Sequence, residues 1–395
     1  MNRRQYVEYT RFQSESSMQM KIGSESLFLT KSEKNADLNK VIAKNQIIGT
    51  RQCQPKRKFG FMKTHKTGSS NVQHRLLVYA YRNDVNVILP QTGNYVNNPK
   101  HKYVLDEPFR LEWLNGVSWH RDFVKNNEYG IQALHTKWNY TAYRTLLGPS
   151  AVFSTILRNP VHTFESQYSY YGFESHYRMN ISEYLKRLER NPTTRFERDP
   201  NKRGLNQQSW DLGMMGPDLE DSRVIEAKIQ SMDQEFDLVM INEFMDESLV
   251  LLANLLCLPL STMSGLKMNQ RKSKAKVKLT QDEVATLKRF QLSDERIYAH
   301  FFQKFLTMWD KFGKRQMKES VQKLQQWDRE VERRCVSNLA DKASLQGTIF
   351  APYNGDVIAY KIRDDDNRCK MMAITELNLI SLIQSKQRRR WLKLL

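Results

Sequence analysis

The sequence predicts an α/β protein, a mainly parallel central sheet flanked by helices. Three observations lead there. Short apolar runs recur at 58–62, 86–89, 130–134, 152–157 and 236–241. The stretches between them are long enough for crossover helices. Two of the runs stop abruptly in a loop that is followed by apolar residues at helical spacing.

Residues 1–52 are polar and read as a stem or disordered segment preceding one larger domain, 53–395. The first strand, 58–62, passes into Lys63-Thr-His-Lys-Thr-Gly-Ser-Ser70, after which Val72, Leu76, Tyr79 and Ala80 mark one helical face. The third, 130–134, delivers His135 at its carboxyl end. The fourth, 152–157, ends in Arg158-Asn159-Pro160, with Pro160 suited to a first helical position and Phe164, Tyr168 and Tyr171 on the face that follows. A helix over 182–190 opens on Ser182 as its cap. Residues 192–204 read as a polar loop. An apolar helix spans 247–256 and closes near Pro259. The run Arg271-Lys-Ser-Lys-Ala-Lys-Val-Lys278 reads as a solvated loop. Thr280 and Glu283 form a capping box. Aromatic-rich 294–311 is helical, Phe312-Gly313 breaks it, and 314–336 resumes as a charged helix. The tail from about residue 340 mixes short strands with a last helix ending in Arg388-Arg-Arg-Trp391.

The loop after the first strand sits where an anion meets a helix N-terminus, whose N–H groups lack intrahelical partners. Gly68 permits close backbone approach. Ser69 and Ser70 can cap the helix and donate to an anion; Lys63 and Lys66 add positive charge. The loop is not a Walker A motif, because Lys66 precedes the only glycine instead of following the second. A triphosphatase is therefore disfavoured. Arg158, a fork-shaped guanidinium, and Ser166 in the following helix suit a terminal phosphate monoester.

Composition bounds the rest. Against 43 acidic residues stand 62 Lys and Arg, a formal charge of +19, which calls for an anionic partner or cofactor. No finger, RNP or basic-zipper pattern occurs, so no nucleic acid is expected. The four cysteines, Cys53, Cys257, Cys335 and Cys369, show no Cys-x-x-Cys spacing, which removes zinc-ribbon and thioredoxin-like readings. Their even number fits two disulfides and equally four thiols. No ligand cluster is evident and no metal is expected. Asn139-Tyr-Thr and Asn180-Ile-Ser are N-glycosylation triplets.

The residues Phe61-Met-Lys-Thr-His-Lys-Thr-Gly-Ser-Ser70, Ile156-Leu-Arg-Asn-Pro160 with Phe164-Glu-Ser166, Leu134-His-Thr-Lys-Trp-Asn139, Asn206 with Asp211-Leu-Gly213, and Glu243 to Leu252 resemble the galactose-3-O-sulfotransferase family. The resemblance runs from about Cys53 to near the end. It implies a P-loop-like sulfotransferase fold and transfer of sulfate from 3′-phosphoadenosine 5′-phosphosulfate (PAPS) to the 3-hydroxyl of galactose on a glycolipid or glycoprotein glycan. Lys63, Lys66, Thr67, Gly68, Ser69 and Ser70 would hold the 5′-phosphosulfate, and Arg158 and Ser166 the 3′-phosphate. Lys66 would stabilise the leaving group. His65 and His135 are both candidates for the general base, and nothing in the sequence chooses between them. Trp138 and Asn139, with His135, would dock the sugar. The alternatives are another glycan O-sulfotransferase, acting on a different hydroxyl or a uronic acid, and a non-catalytic polyanion-binding protein. The family is normally anchored in the Golgi with its domain in the lumen. This chain has no apolar run of about twenty residues, so Golgi placement is an expectation from the resemblance alone.

Overall fold

The protein is described from a computed structural model, covering residues 53–90, 93–98, 104–114, 118–126, 128–363 and 366–392. They fall within one compact unit, Ile48–Leu395. The polar stem expected over 1–52 lies outside the described residues.

In chain order the elements are β1 (Phe59–Met62), α1 (Ser69–Arg82), β2 (Asn86–Val87), α2 (Ser118–Lys125), β3 (Tyr129–Gln132), α3 (Tyr140–Leu147), β4 (Val152–Leu157), α4 (Pro160–Tyr170), α5 (Phe173–Tyr177), α6 (Ile181–Arg190), α7 (Gln207–Asp211), α8 (Ser222–Glu235), β5 (Leu238–Ile241) and α9 (Met245–Leu256). There follow α10 (Gln281–Arg289), α11 (Leu292–Phe312), α12 (Lys314–Cys335), β6 (Val336–Ala340), β7 (Ala359–Ile362), α13 (Asn367–Ala373) and α14 (Glu376–Leu392).

The five strands β1 to β5 form one sheet in the order β2-β3-β1-β4-β5, and every pairing is parallel. Strands β1, β3 and β5 are buried throughout, as a sheet covered on both faces requires. Because all five run the same way, the loops after β1, β3, β4 and β5 leave the same edge. The chain turns from one side of β1 to the other between β3 and β4, which makes that edge beside β1 the place where a crevice opens. The small sheet of β6 and β7 is antiparallel.

Local signals explain most boundaries. Pro160 opens α4 behind Asn159, whose side chain accepts from the N–H groups of Val161 and His162. Thr280 and Glu283 form the reciprocal capping box of α10. Gly313 separates α11 from α12 with a φ of 98°. One cap differs from expectation. Helix α6 starts a residue earlier than read, and Asn180, not Ser182, caps it in a box with Glu183. Both residues are good caps; Ile181 belongs to the buried face with Leu185 and Leu188, so the helix must begin before Ser182.

All four cysteines are paired, Cys53 with Cys257 and Cys335 with Cys369. No helix among the described residues is long and apolar enough to cross a membrane.

The last helix is tied to the sheet by polar groups. Gln387 exchanges two hydrogen bonds with the backbone of Val87 (2.9 and 3.2 Å), covering the edge strand β2. Glu376 receives Lys63 Nζ on both oxygens at 2.8 Å, and Gln73 and Asn94 also donate to it. Burial pushes Glu376 up, but the Lys63 ammonium and these hydrogen bonds outweigh it and hold the carboxyl below its ordinary value. Removing one partner would strand a buried charge. Glu376→Ala therefore costs roughly 3–5 kcal/mol of stability, and pairing Lys63→Met with Glu376→Leu recovers most of it. Urea unfolding of the three variants checks this; a single variant as stable as the parent defeats it.

Candidate active site

The loop after β1 folds on its own hydroxyls. Thr64 Oγ1 meets Thr67 Oγ1 at 2.7 Å and donates to the Ile156 carbonyl, while Ser69 Oγ donates back to the Thr64 carbonyl at 2.6 Å. Ser69 is therefore spent inside the loop. The cap position of α1 is Gly68, at φ 75°, and no side chain caps the helix. A Cβ on Gly68 would stand 2.2 Å from Asn242 Oδ1, so the loop needs glycine there for space as well as conformation. With no acidic residue in its first turn and no side chain over its start, α1 turns the positive end of its dipole toward this loop.

Lys66 takes a left-handed backbone conformation, φ 58°. Its half-buried amine meets no carboxylate or carbonyl among the described residues; it lies 3.2 Å from the centroid of the Tyr170 ring. Loss of water, then the charges of Arg271, Arg158 and Lys63, pull its pKa well below the usual lysine value. Arg158, at the end of β4, donates to the Lys66 carbonyl at 3.0 Å, and its buried Nε has no partner. Glu243 steadies the same corner by accepting from the Asn159 N–H at 2.9 Å. An unpaired amine, an unpaired guanidinium N–H and an uncapped helix start converge on this loop. That is a donor set suited to an anion carrying several negative charges.

The histidines lie face to face. His65 and His135 stack with centroids 4.3 Å apart, and Tyr95 stacks on His135 at 4.8 Å. They are not equivalent. His65 Nδ1 faces Asp211 Oδ1 at 2.9 Å, and the His65 backbone N–H donates to Asp211 Oδ2 at 2.7 Å. Asp211 also accepts from Gln207 Nε2. A carboxylate only accepts, so Nδ1 carries the proton and Nε2, 3.1 Å from the Tyr95 hydroxyl, is the basic nitrogen. His135 has no such orienting carboxylate. Its Nδ1 is buried without a partner among the described residues. Burial, then the neighbouring Lys63 and His65, hold its pKa well below the ordinary histidine value, so its ring stays neutral.

The other expected residues have different surroundings. Lys63 is committed to Glu376 and Gln73 on the inner side of the loop. Thr67 is buried within the loop and Ser70 is half-buried at the start of α1. Ser166 is buried on α4, beside Glu165, which forms a closed pair with Arg271 (2.6 Å) and accepts from the Val277 N–H. The basic run read as a solvated loop is thus pinned inward at Arg271, while Lys276 and Lys278 are exposed. Trp138 is 3% exposed, stacked on Phe236 and Tyr143, and its indole N–H donates to Glu235. Asn139 caps α3 and donates to the Phe109 carbonyl. Neither side chain joins the cluster around His65.

Sequence reasoning assigned no role to Asp211, Tyr95, Tyr170, Glu165 or Glu376. Asp211 was visible only as part of a longer motif; its partner His65 lies 146 positions away, and no local pattern links them. Among the described residues no group of three or more His, Cys, Asp or Glu is arranged to hold a metal ion.

A sequence model of the family described as galactose-3-O-sulfotransferase matches residues 19–387. Galactosylceramide sulfotransferase of Bos taurus is 27% identical over 313 residues, 76% of this chain and 70% of that protein. Galactose-3-O-sulfotransferase 2 of Sus scrofa is 28% identical over 344 residues, 83% of each chain. Galactose-3-O-sulfotransferase 3 of Homo sapiens is 25% identical over 349 residues, 84% of this chain and 78% of that protein.

Proposed function

The chain belongs to the galactose-3-O-sulfotransferase family of enzymes, and from that premise we propose that it moves a sulfuryl group from PAPS to the 3-hydroxyl of a galactose on a glycolipid or glycoprotein glycan, with His65 as the base. The observation that carries this reading is His65, paired with Asp211 of α7 and standing in the same loop as Lys66 and the uncapped start of α1. We read the sheet accordingly as a P-loop-like sulfotransferase fold.

The donor supplies the sulfuryl group and a leaving phosphate on which negative charge grows. The α1 N–H groups and Ser70 hold the 5′ end, and Lys66 stabilises the growing charge. Arg158, with Ser166, binds the 3′-phosphate through its free guanidinium N–H. Asp211 fixes the His65 tautomer, so Nε2 accepts the proton that the galactose hydroxyl releases. The Tyr95 hydroxyl, now against Nε2, marks the position that hydroxyl takes up. His135 packs against the base without competing for the proton. The galactose docks beside this pair, with His135 as one wall and Trp138 and Asn139 bracing the loop behind it. The two disulfides suit an oxidising lumen such as that of the Golgi.

Incubation with labelled PAPS and a galactose-terminated acceptor tests the reading. Label on the galactose 3-hydroxyl is expected. Label on another hydroxyl or on a uronic acid makes the protein a different glycan O-sulfotransferase. No transfer, with no thermal protection by adenosine 3′,5′-bisphosphate, leaves a polyanion-binding protein.

A further inference from the structure

Among residues given no part in the proposed reaction, one stretch of surface combines exposed apolar side chains with lysines. Tyr353 is 80% exposed, Leu339 58%, Leu377 46%, Val277 45% and Ile349 40%. Isolated surface hydrophobics are ordinary, but a connected set is not. Hydrogen bonds place them in two groups on the 339–358 segment and what it touches, Ile349 with the start of α14 and Tyr353 with Lys342. The Ile349 carbonyl accepts from the Thr375 N–H and from Asn378 Nδ2, beside Leu377 at the start of α14. Lys342 Nζ donates to the Tyr353 carbonyl at 2.8 Å, and Lys272 Nζ to the Gly355 carbonyl at 2.8 Å. Lys272 and Leu339 line one shallow depression, and Val277 follows in the same loop as Lys272. Lys272, Lys276, Lys278 and Lys342 give this surface four cations, against the carboxylates of Asp341 and Asp356. Lys272 and Lys342 bond neutral carbonyls, and Lys272 also lies within electrostatic reach of Asp341, so the surface keeps a net excess of positive charge.

We propose that this surface seats on an anionic lipid bilayer. The apolar tips and the Tyr353 ring enter the headgroup boundary, where an amphipathic aromatic is favoured, and the lysines face lipid phosphates. A soluble polyanion would need only the lysines and would gain nothing from five exposed apolar side chains. The placement also has a use: Asn354 Nδ2 donates to the Tyr170 carbonyl, and the Tyr170 ring carries the Lys66 amine. The surface thus borders the anion loop, and seating there brings that loop next to membrane-held molecules. This inference does not depend on the proposed reaction, since its readout is partition onto lipid.

The test is flotation of the full chain with vesicles of phosphatidylcholine alone and with roughly one-third phosphatidylserine. Parent protein is expected on the anionic vesicles. Tyr353→Ser combined with Leu377→Ser is expected to lower that partition about tenfold, with the circular dichroism spectrum and turnover on a soluble galactoside unchanged. Lys272→Gln combined with Lys342→Gln lowers it too, and removes its salt dependence in part. As a second measurement, Tyr353→Trp gives a reporter whose emission shifts to the blue on anionic vesicles. Equal partition of parent and Tyr353/Leu377 variant, an unshifted reporter, or binding to heparin with none to vesicles each overturns the proposal.

Discussion

Lys66→Ala lowers kcat by about three orders of magnitude and leaves the fold intact. The amine lies half-buried over Tyr170 and bonds no carboxylate among the described residues, so the folded protein carries a cation without an ion-pair partner there, where leaving-group charge is expected to grow. Removing it costs no native ion pair, and the loop keeps its Thr64, Thr67 and Ser69 bonds. Stability is therefore spared while turnover is lost. Lys66→Arg does not restore the full rate, because a bulkier planar guanidinium, although it can stack on the Tyr170 ring, does not put a compact point charge at the leaving oxygen. The same geometry sets a pH dependence. Loss of water and the neighbouring cations pull the free enzyme's Lys66 well below the usual lysine value; a bound anion raises it again. Binding of adenosine 3′,5′-bisphosphate then takes up a proton, and affinity falls as pH rises through the lowered value. Calorimetry in buffers of different ionisation enthalpy reads that proton, and single-turnover rates read the loss. Near-normal turnover in folded Lys66→Ala removes the role.

His65→Ala lowers kcat by about two to four orders of magnitude, and Asp211→Asn falls in the same range by a different route. An asparagine can donate its amide N–H to Nδ1, which moves the ring proton to Nε2 and leaves no basic nitrogen toward the acceptor. His135→Asn is expected to keep most of the rate, because its ring is held neutral beside His65 and no carboxylate orients it among the described residues. The reverse pattern reassigns the base to His135.

The parts of this architecture legible from sequence are those encoded locally. The apolar runs found β1, β3, β4 and β5 within a residue or two, since buried parallel strands are continuous hydrophobic stretches. Pro160, the Thr280–Glu283 box and Gly313 set boundaries through contacts only a few residues apart. Lysine spacing could not separate Lys63, which turns inward to Glu376 some 313 positions away, from Lys66, which stays unpaired. Trp138 reads as a sugar platform or as a core residue until its packing on Phe236 is seen. Arg271 sits in a run of lysines that looks solvated, and only the buried Glu165 carboxylate turns it inward. In each case the deciding partner is distant in sequence.

The Cys53–Cys257 bond joins positions 204 apart, and the β1, β3, β4 and β5 loops, Asp211 and both histidines all lie between them. The proposed reaction centre is therefore enclosed in one covalent ring, whereas Arg271 and Glu376, which brace its loop, lie outside. In the chain-entropy account a ring of that size is worth roughly 5 kcal/mol to the folded state. A chain made where thiols stay reduced forgoes that contribution for the whole centre at once, so redox conditions during synthesis govern whether an active enzyme accumulates.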